Sequence, residues 1–338
     1  MKKRSRVLQI LVMVICILGW NASMKVMAQS FSVRTLKFTT MYVEGQELYE
    51  TVRFFTDQIE KRTQGRIKFQ AFLGSSLVPT NQFVASVNKG ILDVAFAVPT
   101  YEGGLWPITN LGTIFGAPNV TYEKWRTIHD QVRDIMNKNI AIDVVILGMP
   151  HVVSYHLNSR KPVTGKIADF KGLLVRSAGT SFDASMKALG SAPVTIAAPE
   201  TYMALQRGTI DAAMNSLARY VESKVFEAAP YILIIPRGPF TFGQYFIINK
   251  TVWNSLATDI QKVLVEVGTE VVGFTNDRSS GSDKKVISET LPKLGIKPVT
   301  MPEEENRLLL QKLATVWDPE IAKLGKPAEE IAKILGIK

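Results

Sequence analysis

Two polar residues stand where this chain could hold an anion. Arg176 follows the apolar run Leu173-Leu174-Val175, and Asn215 follows Ile210-Asp211-Ala212-Ala213-Met214. In open parallel sheets, ligands bind beyond the carboxyl ends of strands. A guanidinium offers a planar fork that matches a carboxylate through two hydrogen bonds. An amide can donate to the same anion or brace the arginine. The competing readings are a surface arginine paired with an acid and an asparagine capping a turn. Aromatic residues gather where loops leave predicted strands: Tyr42, Tyr101 with Trp106, Tyr155, and Phe242 with Tyr245. As a set they predict a cleft with apolar sides, although any one alone is more often core.

Other chemistry is missing. The three histidines, His129, His151 and His156, lack ligand-like partner spacing. There is no GxSxG, GxxxxGK[ST], HExxH or dinucleotide fingerprint. The runs "GSSL" and "RSSGSD" lack the strand-turn-helix setting of a nucleophile. These absences predict no metal, no cofactor and no enzyme. A secreted enzyme with dispersed catalytic groups stays open as a rival.

The elements that must position these residues follow from periodicity. "LKFTT" is strand-like. In the helix that follows, Leu48, Val52, Phe55 and Ile59 share one face, and Gly65 ends it. "RIKFQAF" alternates as a strand, "TNQFVASVNKG" is a helix with Phe83, Val84 and Val87 inward, and "ILDVAFAV" is a buried strand. The order β-α-β-α-β predicts a parallel sheet with helices on its faces. It returns later: "DVVILG" and "LLVR" as strands, "SFDASMKALG" as a helix opening on a Ser cap, "APVTI" as a strand, "PETYMALQRG" as a helix, and "IDAAMN" as a strand. Asn88-Lys89-Gly90-Ile91-Leu92-Asp93-Val94-Ala95 thus has an echo in Gln206-Arg207-Gly208-Thr209-Ile210-Asp211-Ala212-Ala213. Each glycine should end a helix in the left-handed conformation, and each aspartate should tie down its turn. Two related lobes are expected. The stretch from Val252 to Gly295 is one very long helix or two, broken near Ser279-Ser280-Gly281. "KPVTM" is a last short strand, and amphipathic helices close the chain.

The 338 residues, 46% hydrophobic and 21% charged, suffice for two lobes and argue against wholesale disorder. The N-terminus reads as an export signal. Lys2, Lys3, Arg4 and Arg6 precede an uncharged run from Val7 to Trp20, and Val26-Met27-Ala28 offers a cleavage site. The alternative, an uncleaved anchor, is disfavoured by the short apolar run. Removing the leader lowers the formal charge from +10 to about +5, which weakens any case for a nucleic-acid partner. The one cysteine, Cys16, lies in the leader after Ile15, so the mature chain has no disulfide and no cysteine metal site.

Several stretches together resemble a known family: "FFTDQIEKRTQGRIKFQAFLGSSL", "VNKGILDVAFA", "KPVTGKIADFKGLLVR", "LGSAPVTIAAPETYMALQRGTIDAAMNS" and "QYFIINKTVWNSL". In order and spacing the chain resembles the periplasmic solute-binding proteins of TRAP transporters, of the DctP type. The resemblance implies an α/β, two-lobed, type II-like binding-protein fold with crossing strands and a long interlobe helix. The implied divisions are a signal peptide over 1–28, lobe I over 31–150 plus 241–280, and lobe II over 151–240 plus 281–338. Closure on an organic acid is implied, with Arg176 on its carboxylate and Asn215 beside it. First-lobe ligand loops fall on Thr39 to Tyr42, on Thr80, and on Val98 to Tyr101, which includes Pro99 and Thr100. Three places depart from the pattern, the first being Asp211-Ala212-Ala213-Met214-Asn215 where the family reads DGQEN. Ser154 stands where many members carry a second arginine, and Ala198 where they carry an aromatic residue. One lost cation and one lost ring favour a monocarboxylate with an apolar or aromatic body. The implied protein is a periplasmic monomer that delivers its ligand to a TRAP permease. A module serving a sensor kinase is the alternative.

Overall fold

The computed structural model describes residues 32–115, 120–236 and 240–337. The expected signal peptide over 1–28, with Cys16, lies outside the described residues.

In the first lobe, β1 (Arg34–Thr40), α1 (Glu47–Arg62), β2 (Ile67–Phe72), α2 (Phe83–Asn88) and β3 (Val94–Ala97) follow one another. The expected inward faces are buried, from Leu48, Val52, Phe55 and Ile59 on α1 to Phe83, Val84 and Val87 on α2. β1 pairs in parallel with both β2 and β3. After α3 (Tyr122–Lys138), the long strand β4 (Val144–Ser154) leaves this sheet for the second. There β5 (His156–Ser159), β6 (Leu174–Ser177), α4 (Thr180–Ala188), β7 (Ala192–Thr195), α5 (Thr201–Arg207), β8 (Ala212–Asn215), α6 (Leu217–Glu222) and β9 (Tyr231–Ile234) build the second lobe. The chain returns through β10 (Phe240–Asn249) and enters one long helix, α7 (Thr258–Lys285). β11 (Val299–Thr300), α8 (Glu303–Ala314), α9 (Trp317–Leu324) and α10 (Lys326–Leu335) complete it.

The first sheet has the order β2-β1-β3-β10-β4 and the second β11-β9-β5-β8-β6-β7. Neither is purely parallel. β10 runs antiparallel to β3 and β4, and β5 runs antiparallel to β8 and β9. The reason is topological. A strand that enters each lobe from the other arrives against the local strand direction. The first core stacks aromatic rings across layers, with Phe246 3.9 Å from Phe55 and 4.3 Å from Phe96 between centroids.

Three local features bear on these expectations. α7 runs unbroken through Ser279-Ser280-Gly281 and continues as a π-helical turn over Val286–Thr290. α4 begins after Gly179 with no side-chain cap, so Ser181 lies within its first turn and caps nothing. Finally, Trp317, Ile321, Ile331, Ala332 and Leu335 pack into the first lobe's core. The end of the chain, from Trp317 on, thus packs on the first core, whereas Met301, Leu309 and Leu313 pack in the second lobe. The amphipathic face of α10 needed an apolar partner, and the exposed side of the first lobe provides it.

The repeated junction is built the same way twice. Gly90 (φ +70°) and Gly208 (φ +75°) both turn left-handed. The aspartates, however, do not bond their own turns. Asp93 accepts from the Lys37 amide at 2.8 Å while donating its own amide to the Lys37 carbonyl. Asp211 accepts from the Leu174 amide at 3.0 Å and donates likewise to the Leu174 carbonyl. Each aspartate clamps the neighbouring parallel strand, Asp93 at the middle of β1 and Asp211 at the start of β6, and this helps set the register of each sheet. In the second lobe the clamp holds β8 beside β6, where Arg176 lies opposite Ala213.

Candidate functional site

Arg176 is the next-to-last residue of β6 and Asn215 closes β8, so parallel neighbours bring both to one sheet end. They line one cleft between the lobes with Tyr42, Tyr101, Tyr155 and Ala198. Six of the twelve residues expected from sequence thus meet in one place.

Arg176 is only 2% exposed. Its Nε donates to the Ile196 carbonyl at 2.8 Å, and one Nη donates to the Tyr101 hydroxyl at 2.6 Å. The rings of Tyr101 and Phe182 each lie 6.0 Å from its guanidinium carbon. No carboxylate among the described residues pairs with it, so it is not a surface arginine neutralised by an acid. A buried, unpaired charge is costly in a low-dielectric interior, and an arriving carboxylate would complete it.

Asn215 is equally buried and caps no turn. Its Nδ2 donates to Asn158 Oδ1 at 2.9 Å, while Ser216 caps α6. Asn215 is therefore tied to β5 and does not brace Arg176. Tyr101, from the first lobe, reaches across the cleft. Its hydroxyl oxygen accepts both from Arg176 and from the Ala198 amide at 3.0 Å. Two accepted bonds leave its one proton free to be donated. Tyr42 is buried, and its hydroxyl exchanges hydrogen bonds with the Gln244 amide at 2.8 and 2.9 Å. Burial raises the Tyr42 pKa, so the phenol stays protonated.

The other six expected residues are not brought to the cleft wall. Thr80 hydrogen-bonds Ser75 at 2.7 Å. Pro99 is buried, and Thr100 donates to the Ala178 carbonyl at 3.1 Å, joining the lobes. Ser154 ends β4. Phe242 stacks on Trp125 at 4.6 Å, and Tyr245 packs edge-on to Trp106 at 6.1 Å, both in the first core. Bulges on either side of Gln244 explain the exchange. They rotate the strand so that Gly243 and Gln244, not Phe242 and Tyr245, face the cleft.

Sequence reasoning also missed Phe182, Arg219 and a wall of acids: Glu47, Glu222 and Asp283. These acids come from α1, α6 and α7, far apart in sequence, and no local pattern joins them. Glu222 accepts from the Glu47 backbone amide at 2.7 Å. Burial, then the charge of Glu47, pushes the Asp283 carboxyl up to about 7, and burial also raises Glu222. Neither His129 nor His156 lines the cleft. His156 accepts from the Ile235 amide at 3.1 Å, and burial lowers its pKa to about 4. Among the described residues no cluster of His, Cys, Asp and Glu could hold a metal ion, and no helix is long and apolar enough to cross a membrane.

Two α/β lobes, a long helix beside them and a buried guanidinium in the cleft between define the class of two-lobed solute-binding proteins. Residues 38–323 match the family described as bacterial extracellular solute-binding protein, family 7, DctP. The chain belongs to that family, the periplasmic solute-binding proteins of TRAP transporters. A solute-binding protein of Albidiferax ferrireducens is 31% identical over 265 residues, 76% of either chain. A TRAP periplasmic solute-binding protein from Rhodoferax ferrireducens, solved with bound malonate, superposes with a TM-score of 0.77 at 26% identity, over 89% of this chain and 96% of that one. One from Desulfovibrio salexigens, solved with bound orotic acid, gives a TM-score of 0.80 at 19% identity, over 89% and 97%. The family is one of receptors rather than enzymes.

Proposed function

We propose that this protein captures an organic acid in the periplasm and delivers it to a TRAP permease, acting as a monomer whose signal peptide is cleaved near Ala28. The observation that carries the proposal is the buried Arg176 guanidinium, which has no acid partner among the described residues and sits beside Asn215 at the carboxyl end of the second sheet. The malonate and orotic acid held by the Rhodoferax and Desulfovibrio proteins support an acidic ligand. The ligand carboxylate pairs with Arg176, with Asn215 and the Tyr101 hydroxyl completing its shell. Its body lies against Phe182, Tyr155, Leu48 and Val98, and Ala198 leaves room there. This favours a monocarboxylate with an apolar or aromatic body. The lobes close over it, and water leaves. Closure shifts a two-state population only as far as the ligand prefers the closed form.

Isothermal calorimetry on Arg176→Ala tests the assignment. Removing one partner of a buried charge pair costs about 2–5 kcal/mol, so most affinity should vanish while the melting temperature of the free protein persists. Unchanged affinity would overturn the role of Arg176. Ligand recovered chemically altered after incubation would overturn the receptor reading.

A further inference from the structure

The cleft contains a second guanidinium, Arg219, to which the capture of one carboxylate assigns no task. Arg219 lies on α6, one turn past Asn215, and lines the same cleft as Arg176. One Nη donates to Ser223 Oγ at 3.2 Å, and the guanidinium carbon stands 5.6 Å over the Tyr42 ring of the opposite lobe. Among the described residues no carboxylate lies within ion-pair distance of it. Glu222, three residues on, directs Oε1 to the Glu47 amide instead. Most of the five donors of a guanidinium are therefore unspent, and they belong to a half-buried group in the wall of a binding cleft.

The charges facing this position narrow what the donors can meet. Glu47, Glu222 and Asp283 line the same cleft. A second carboxylate brought to Arg219 would meet Glu47 and Glu222 as like charges, with Asp283 adding to them as it ionises near pH 7, and such juxtaposition is costly. A neutral carbonyl oxygen accepts from the guanidinium without that repulsion. Resting on the organic-acid reading above, we propose that Arg219 is a specificity-determining residue that donates to a neutral carbonyl on the ligand, distinct from the carboxylate at Arg176. The ligand class is then an oxo-monocarboxylate, either a keto acid or a lactam acid.

Calorimetry with matched probes tests this. The series pairs each plain acid with its oxo and dicarboxylate counterparts: propanoate, pyruvate and malonate, through hexanoate, 5-oxohexanoate and adipate. Cyclopentanecarboxylate and pyroglutamate form a ring pair. The wild type should bind at least one oxo acid about 10-fold or more tighter than both counterparts, as expected of a hydrogen bond to a charged donor. Arg219→Gln should abolish that margin and leave the plain acid within about 2-fold. Arg219→Lys, which keeps the charge without the planar fork, should keep only part of it. Arg176→Gln should weaken every probe. Melting temperatures of the ligand-free variants separate a lost contact from a lost fold. A margin that survives in Arg219→Gln, no margin in the wild type, or a dicarboxylate as the tightest probe overturns the role of Arg219 and leaves the organic-acid reading standing. If the wild type binds no probe, the organic-acid reading fails and this proposal with it.

Discussion

Helix α1 starts without a cap of its own. Gln46, its N-cap residue, makes no side-chain hydrogen bond to the first turn. The missing acceptor comes from the other lobe, where Glu222 Oε1 takes the Glu47 amide at 2.7 Å. A carboxylate at a helix N-terminus satisfies an orphan donor and meets the positive end of the helix dipole. If the lobes separate, water replaces it. The cap should then favour closure by about 0.5–2 kcal/mol, the usual worth of such a group. Burial of Glu222, which raises its pKa, works against this and places the value toward the lower end. Glu222→Ala should weaken binding about 2- to 5-fold. Glu222→Gln keeps an acceptor oxygen and should fall between the two. Because the loss acts through the population of the closed form, it should be the same factor for every monocarboxylate bound. Calorimetry on several acids, with interlobe distance followed by fluorescence energy transfer, measures both effects. An Ala variant with unchanged affinity would show that the cap does nothing for closure. A loss that differs from one monocarboxylate to another would make Glu222 a ligand contact instead.

Two further outcomes follow from neighbouring geometry. Gly179 has φ +129°, and a methyl group there would strike the Thr100 carbonyl of the opposite lobe. Gly179→Ala should therefore hold the lobes apart and weaken all acids by about 10-fold or more; small-angle scattering that shows normal ligand-driven compaction would contradict this. Asp283 titrates near 7 in the folded chain, above its unfolded value. Between about pH 4 and 7 the folded state holds a proton that the unfolded state has lost, so stability falls as pH rises through that window. Asp283→Asn should raise the melting temperature at pH 8, with the gain shrinking toward pH 4; a gain independent of pH would refute the shift.

Much of this molecule is written locally. The inward faces of α1 and α2 follow from a 3.6-residue period, and that period is a property of the chain alone. The glycines at 90 and 208 end their helices left-handed because only such residues adopt that conformation cheaply. Arg176 and Asn215 could be placed at strand ends because apolar runs stop there. The sequence by itself therefore determined the α/β units, their order and the two residues at the mouth of the second sheet. Only the tertiary structure decided what those units meet. Asp93 and Asp211 bond neighbouring strands, a choice that depends on which strand lies beside them. Phe242 and Tyr245 turn into the core because bulges rotate β10, and periodicity cannot register a bulge. Arg219, Glu222 and Tyr101 acquire their partners across a cleft whose walls are far apart in the chain. Side-chain period and turn chemistry are settled within a few residues; partner choice across a cleft is settled by packing.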